Sequence, residues 1–252
     1  MLKETTREEW LSILGLPPEN VPEVIILRGT RNLKMQYELH KPMFQEIFEI
    51  CSPNGLVEDV FIGKIQGKTV GYASVYGAPM ASEVTHIFGV LGTKLVIQTG
   101  CCGALHEGIL AGDILCPTSA YMGDGASQYY LERTGDVDAS GWLIEKIGAG
   151  RHGGTRLYTG PIFTTSALLA EGENEIDDWR KKGYFGVDME TASTFAVAKY
   201  FGVDRISLLY VFDELRKNGS TLLEESKGEM RKRGETEMKN IALKIIKEYS
   251  KS

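Results

Sequence analysis

Short apolar runs alternate along the chain with segments in which apolar residues recur every three or four positions. The short runs are bounded by glycine, proline or charged residues, as is typical of strands buried in a sheet. The longer segments have the repeat of helices that bury one face. Strands are predicted at residues 24–27, 59–65, 69–75, 95–97, 114–116 and 206–212, and helices at residues 6–14, 82–91, 191–201 and 229–249.

Local signals place several ends of these elements. Thr6 and Glu9 have the spacing of a capping box at the start of the first helix. Gly92 follows the second helix as a C-cap, and residues 66–67 form the turn of a hairpin. Because strands and helices alternate without an internal repeat, we expect an α/β domain with a parallel or mixed sheet.

Composition narrows the class of protein. Of the 252 residues, 42% are hydrophobic and 25% are charged, as in an ordinary globular domain. No apolar run approaches the roughly 20 residues of a membrane span, and the charged N-terminus lacks the apolar core of a signal peptide. We therefore expect a single domain over residues 1–252, located in the cytoplasm, with no membrane partner.

The formal net charge of −6 argues against nucleic acid as the main partner, because phosphate backbones bind basic surfaces. A small ligand with one phosphate is still compatible, since a pocket can be locally positive in an acidic protein. The cysteines contain no Cys-x-x-Cys pair, so no metal site is predicted. The favoured interpretation is of small buried thiols in a reducing compartment. They are Cys51, Cys101, Cys102 and Cys116.

A glycine-rich turn ends the strand predicted at residues 95–97. It reads Gly100, Cys101, Cys102 and Gly103. Such a turn lets backbone amides approach an anion or a sugar closely, at the sheet edge where α/β folds collect ligands. A tight turn without a ligand is the alternative.

Two carboxylates flank a methionine at the start of the third predicted helix, as Asp188, Met189 and Glu190. The helix dipole stabilises carboxylates there, so capping alone would explain them. A glutamate can also accept hydrogen bonds from both hydroxyls of a ribose, with methionine packed beneath the sugar. From these residues alone the two interpretations are evenly matched.

Asp213 and Glu214 end an otherwise wholly apolar strand. Partial burial would raise the pKa of Asp213 and suit it to act as a general acid. A purine leaves more easily when its ring N7 is protonated, which fits such an acid. In isolation, however, the motif favours a solvated strand end without function.

In their order and spacing, these segments resemble the superfamily of purine nucleoside phosphorylases, uridine phosphorylases and nucleosidases. Residues 99–105 and 111–114 resemble its glycine-rich segment and the Val-Gly-Asp-Ile that follows. Residues 186–192 resemble its Val-Glu-Met-Glu-Ala signature, and residues 211–213 its Val-Ser-Asp strand end. The resemblance spans residues 22–248. It implies a three-layer α/β/α domain around a mixed, partly barrel-like sheet.

The resemblance also implies assembly into a homo-oligomer (a dimer, trimer or hexamer), with residues 1–20 as an N-terminal helical extension. Glu190 would bind the ribose hydroxyls, with Met189 beneath the sugar. Asp213 would protonate the purine, and Arg231 would activate that aspartate. The other residues assigned to substrate binding are Phe163, Asp188, Phe212, Gly100, Cys101, Cys102, Gly103 and Met80.

The chain departs from the family where phosphate is held. Bacterial-type phosphorylases have a Gly-Asp-Pro-x-Arg loop after the first strand, and here Leu33 takes the place of its arginine. Gln98 and Leu56 occupy two further arginine positions. Losing these arginines weakens phosphate binding unless Arg28 or Arg31 replaces them. The tentative phosphate set is Gly29, Arg28, Arg31, Gln98 and Cys101.

The function expected is phosphorolysis of a nucleoside to free base and ribose 1-phosphate, with phosphate as co-substrate and no cofactor. A purine is favoured, because residues 165–175 lack the Gln-x-Arg pair with which uridine-specific relatives bind uracil. Two alternatives stay open. One is a nucleosidase that uses water, which the missing arginines favour. The other is a catalytically weak nucleoside-binding or storage protein.

Overall fold

The structure, a computed structural model, describes residues 2–50, 56–215 and 225–250. The strands are β1 (Val24–Gly29), β2 (Gln45–Glu49), β3 (Val60–Ile65), β4 (Lys68–Val75), β5 (Leu95–Ala104), β6 (Ile114–Gly123), β7 (Asp136–Asp138), β8 (Gly150–His152), β9 (Thr155–Thr165), β10 (Gly186–Asp188) and β11 (Asp204–Glu214). The α-helices are α1 (Arg7–Leu14), α2 (Leu33–His40), α3 (Gly77–Leu91), α4 (Gly141–Ile147), α5 (Glu173–Lys181), α6 (Thr191–Tyr200) and α7 (Gly228–Glu248).

These strands form one mixed sheet in the order β10-β9-β6-β11-β5-β1-β4-β3-β2, with β7 beside β6 and β8 beside β9. The central strands β4, β1, β5 and β11 run parallel to one another. Because β10 also pairs with β5, strands β10, β9, β6, β11 and β5 close into a ring. The predicted mixed, partly barrel-like sheet is confirmed.

Helices cover both faces of the sheet. Ile25 and Leu27 of β1 lie in one apolar cluster with α1 and α3, whereas Val24 and Ile26 lie in another with α7. Successive residues of a strand point to opposite faces, so a strand between two helical layers is apolar throughout. The predicted three-layer arrangement is therefore confirmed. Within the described ranges, no helix is both long and apolar enough to cross a bilayer.

The N-terminal helix packs on the sheet layer instead of standing apart from it. Trp10, Leu11 and Leu14 are buried in the same cluster as α3. The predicted capping box is present, since the N–H of Thr6 donates to Oε2 of Glu9 over 2.7 Å and the N–H of Glu9 donates to Oγ1 of Thr6 over 3.3 Å. The helix predicted from the start of the chain is thus part of the domain core.

Helix α3 begins at Gly77, earlier than the residue 82 expected from the sequence. The residue before it, Tyr76, offers no capping side chain. Instead the N–H of Gly77 donates to Oε1 of Glu190 over 2.8 Å. A cap supplied from far along the chain leaves no local sequence signal, which explains the misplaced start.

Helix α7 approaches the sheet through two glycines. A Cβ on Gly112, whose φ is +87°, would lie 2.4 Å from the carbonyl oxygen of Met230. A Cβ on Gly234 would lie 2.4 Å from the carbonyl oxygen of Gly112. Neither position has room for a side chain, so this backbone contact fixes how closely α7 lies against the loop before β6.

We expect Gly234→Ala to lower stability, because its methyl group meets a backbone carbonyl that cannot turn away. Overpacking of this kind costs about 1–3 kcal/mol. Gly228→Ala, at the start of the same helix with open space around its Cβ, is the matched control. It should leave stability unchanged or raise it by about 0.4–1 kcal/mol. Thermal unfolding measures both, and equal midpoints for the two variants would contradict the close contact.

Candidate active site

An open cleft of about 430 Å³ lies at the carboxyl ends of β1, β5 and β11. Parallel strands end at one edge of a sheet, so their last residues meet there. The predicted site residues that line the cleft are Arg28, Gly29, Arg31, Cys101, Cys102, Gly103, Asp188, Met189, Glu190, Phe212 and Asp213. The segments singled out in the sequence therefore converge on one place.

Other predicted residues lie outside the cleft wall. Phe163 is placed by the family resemblance beside the base, but its ring stacks between Tyr121 and Trp179, with centroids 5.1 and 4.4 Å apart. Met80, also assigned to the substrate, packs against the core cluster of α1 and α3. In both cases the side chain turns to an apolar neighbour, which local sequence does not reveal.

Gly100 and Gln98 lie immediately behind the wall. A Cβ on Gly100 would be 3.4 Å from the carbonyl oxygen of Gly29 and 3.5 Å from Nε2 of Gln98. The cysteines differ in burial: Cys101 is exposed, whereas Cys102 and Cys116 are buried free thiols. The expectation of a buried thiol is wrong for Cys101, because the cleft opens at that residue. Cys51 lies outside the described residues.

Asp188 connects the start of α6 to the sheet. Its carboxylate accepts hydrogen bonds from Oγ1 of Thr164 over 2.7 Å and from the N–H groups of Thr191 and Glu190 over 2.8 and 3.3 Å. An ionised carboxylate at a helix start is stabilised by such donors and by the dipole. Capping thus accounts for Asp188, and the bonds fix the backbone that carries Glu190.

Glu190 presents a buried carboxyl group beside β1. Only 6% of the residue is exposed, and Oε1 accepts the N–H of Gly77. Burial and the neighbouring Asp188 carboxylate raise its pKa. A Cβ on Gly29 would lie 2.9 Å from Oε2 of Glu190, so a side chain at this strand end would displace the Glu190 carboxyl group. Hydrogen bonds donated by a ligand would favour the ionised form, so the raised pKa suits this carboxyl to accept donors in the cleft.

A β-bulge turns Asp213 toward the cleft. Val211 pairs with Cys102 and Asp213 with Gly103, so Phe212 is an extra residue on β11. Bulges commonly re-aim a side chain next to a functional site. Asp213 is 6% exposed, and burial raises its pKa to about 6 against the opposing charge of Arg231. A carboxyl with that pKa can hold and release a proton near neutral pH.

Arg231 approaches the bulge from α7. Its Nε donates to the carbonyl oxygen of Phe212 over 2.6 Å, and its guanidinium lies 4.1 Å from the centroid of the Phe212 ring. These contacts hold the cation beside Asp213 although Arg231 does not line the cleft. The arrangement is compatible with the predicted role of Arg231, which is to influence Asp213.

Buried polar atoms at the cleft lack partners among the described residues. Arg28 is 3% exposed and donates through Nη2 to Oε1 of Glu235 over 2.9 Å, while its Nε and Nη1 have no hydrogen-bond partner. Oε1 of Gln98 accepts the hydroxyl of Thr191 over 2.7 Å, while Nε2 is without a partner. Buried polar groups are almost always hydrogen-bonded, so these nitrogens are donors for a buried water or, once the side chain turns, for a ligand in the cleft.

Sequence reasoning missed several cleft residues. Tyr76, Tyr210, Gln36 and Glu171 line the cleft, and Oε1 atoms of both Gln36 and Glu171 are buried without partners. The tyrosines lie among apolar residues, and Gln36 lies in a helix that was not predicted. Glu171 lies in the stretch searched only for a uracil-binding pair. Within the described ranges no group of three or more His, Cys, Asp or Glu could hold a metal ion.

Comparison with known proteins gives the family. The chain matches the Phosphorylase superfamily over residues 36–247. A purine nucleoside phosphorylase, DeoD-type, from Alkaliphilus metalliredigens is 31% identical over 172 residues, which cover 66% of this chain and 72% of that protein. A guanosine phosphorylase from Halorubrum lacusprofundi is 29% identical over 131 residues, which cover 50% of this chain and 53%, or about half, of that relative.

A solved structure of a phosphorylase has the same fold as this chain. The chain superposes on a uridine phosphorylase from Vibrio fischeri, solved with 6-hydroxy-1-naphthoic acid, with a TM-score of 0.76 and 21% identity. The superposition covers 94% of this chain and 96% of that one. At this identity the likeness concerns the fold alone. The match over residues 36–247 and the DeoD-type relative establish that the chain belongs to the phosphorylase superfamily, in the nucleoside phosphorylase family.

Proposed function

We propose that this chain cleaves the N-glycosidic bond of a purine nucleoside by phosphorolysis, giving free base and ribose 1-phosphate. The observation that carries the proposal is the meeting of Asp213, Glu190 and Arg28 in one cleft. An acid for the base, an acceptor for the sugar and a cation for phosphate are the groups this reaction needs. The purine and guanosine phosphorylases among the relatives support a purine as substrate.

Glu190 binds the sugar in this proposal. A ribose offers two neighbouring hydroxyls as donors, and a buried carboxylate is a strong acceptor for them. Met189 lines the same cleft and packs beneath the ring. Because the Asp188 network fixes the backbone at Glu190, the sugar is held in one orientation while positive charge develops on it.

Asp213 supplies the proton. As the bond between C1′ and the base nitrogen breaks, its electron pair moves into the purine, and Asp213 protonates N7 to neutralise the leaving base. A pKa of about 6 leaves part of the carboxyl protonated near neutral pH. Arg231 tunes this acid through its charge, which favours the ionised form left after proton transfer.

Arg28 replaces the family's phosphate arginines in this proposal. Its Nε and Nη1 have no partner and lie on either side of Nη2, so each can donate singly to a phosphate oxygen. The carboxylate of Glu235 is shared between Arg28 and Lys239, at 2.9 and 3.3 Å, so it does not cancel the positive charge of the cluster. Nε2 of Gln98 adds a neutral donor nearby. The bound phosphate then attacks C1′ as the base leaves.

Release of free base from a panel of purine and pyrimidine nucleosides, with and without phosphate, tests the proposal. We expect release from purine nucleosides only when phosphate is present, with ribose 1-phosphate as the second product. Release without phosphate would overturn phosphorolysis in favour of a nucleosidase. Tight binding without release from any nucleoside would instead favour a storage protein.

We expect Arg28→Met to raise the KM for phosphate by about 10- to 100-fold, the scale of losing hydrogen bonds to a charged group. The KM for the nucleoside should change much less. Arg31→Met is the matched control, because Arg31 also lines the cleft but its guanidinium lies over the Tyr76 ring, 5.0 Å from the centroid. Steady-state kinetics with varied phosphate measures both. A larger effect of Arg31→Met would assign phosphate to that residue instead.

We expect Arg231→Met to move the alkaline limb of the pH profile of kcat/KM to higher pH. The charge of Arg231 lowers the pKa of Asp213, so its removal raises that pKa and keeps the acid protonated further into the alkaline range. Arg233→Met, an exposed position on the same helix, is the control and should leave the limb in place. A limb that moves to lower pH would contradict Asp213 as the acid.

A further inference from the structure

Glu171 is a cleft residue with no part in the chemistry above. It follows a short 3-10 turn, Leu168–Ala170, and precedes α5. Its N–H donates to the carbonyl oxygen of Leu168 over 3.3 Å, and the next N–H, of Gly172, donates to Oε2 of Glu175 over 3.1 Å. The backbone on both sides is therefore hydrogen-bonded, and it holds the Glu171 side chain against the cleft.

The carboxyl group of Glu171 has an unused oxygen. Oε1 is buried and has no hydrogen-bond partner among the described residues. Leaving a buried carboxyl oxygen unpaired costs stability, because the atom has lost water without gaining another donor. Because Glu171 lines the cleft, rotation of its carboxyl group would bring this oxygen to a ligand there, which would supply the missing partner.

The charged neighbour of Glu171 in the described structure is Asp213 at the end of β11. Burial and the charge of Asp213 raise the pKa of Glu171 to about 7. Leu168, just before Glu171 in the sequence, and Leu215, just after Asp213, also line the cleft. Both are apolar. Near neutral pH the Glu171 carboxyl is therefore present both as an acid, which donates a hydrogen bond, and as a carboxylate, which only accepts.

We propose that Glu171 recognises the substituent at position 6 of the purine while Asp213 acts at N7. Position 6 and N7 lie on the same edge of a purine, so a second carboxyl beside Asp213 meets that substituent. This inference rests on the proposed function and adds to it the way in which the base is selected. A 6-oxo group needs a donor and pairs with the acid, whereas a 6-amino group needs an acceptor and pairs with the carboxylate.

If Glu171 contacts position 6, the preference of the enzyme for one base over another changes with pH in a direction that can be stated. Below the pKa of Glu171 the acid form favours 6-oxopurine nucleosides, and above it the carboxylate favours 6-aminopurine nucleosides. The ratio of kcat/KM for inosine to that for adenosine should fall by about tenfold or more between about pH 6 and pH 8, the scale of one mismatched charged hydrogen bond. Titrations that affect both substrates alike, such as those of Asp213 and phosphate, cancel in this ratio.

The test compares the wild-type chain with Glu171→Gln and with Glu173→Gln. An amide can donate or accept but does not titrate in this range, so Glu171→Gln should cleave both nucleosides with a ratio that no longer depends on pH. Glu173 is exposed two residues further on, and its variant should keep the wild-type profile. A Glu171→Gln variant whose ratio still falls with pH would overturn the inference, as would a flat wild-type ratio.

Binding of the free bases separates this inference from the proposed function. Calorimetric titration with hypoxanthine and adenine at about pH 6 and 8 needs no turnover. We expect the wild type to shift its preference from hypoxanthine to adenine as pH rises, and Glu171→Gln to lose that shift. If no nucleoside is cleaved but the shift is present and lost in the variant, phosphorolysis fails and the role of Glu171 stands. If purine nucleosides are cleaved and Glu171→Gln keeps the pH-dependent change in base preference, the role of Glu171 is wrong while the proposed phosphorolysis stands.

Discussion

The carboxylate of Asp188 lies in the interior and accepts hydrogen bonds from Thr164 of β9 and from the first residue of α6, Thr191. The Thr191 hydroxyl also contacts Oε1 of Gln98 on β5, and the Ser207 hydroxyl of β11 donates to the same oxygen. A buried charge is tolerated only when such donors surround it. This network joins four strands, β10, β9, β5 and β11, to one helix, and the direction of Glu190 into the cleft depends on it.

The site is held in place by parts of the molecule that have no contact with a ligand. The apolar clusters on both faces of the sheet stabilise the strands whose ends form the cleft. The cleft itself opposes stability, since it contains the buried carboxyls of Glu190 and Asp213 and the unpaired nitrogens of Arg28. Because these groups lower stability, their presence together in the cleft indicates that ligand binding requires them and folding does not. A ligand that pairs them would therefore also stabilise the fold.

The sequence predicts much of this arrangement because its signals are local. Apolar runs that stop at glycine or at a carboxylate indicate β1, β5 and β11, whose ends form the site. The features that the sequence does not reveal depend on contacts between residues far apart in the chain. The start of α3 is capped by Glu190, the bulge at Phe212 is defined by pairing with β5, and the position of the Arg28 guanidinium depends on its ion pair with α7. Glu171 carries no signal, because an isolated glutamate before a helix is ordinarily a solvated residue.

A crystal structure with a non-cleavable purine nucleoside analogue and phosphate is the most direct test of the central claim, that the buried polar groups gathered at this cleft are the substrate contacts. It should place the ribose hydroxyls on Glu190, N7 of the base beside Asp213 and a phosphate oxygen on Nε or Nη1 of Arg28. Phosphate bound away from Arg28, or a nucleoside seated outside the cleft, would contradict the account.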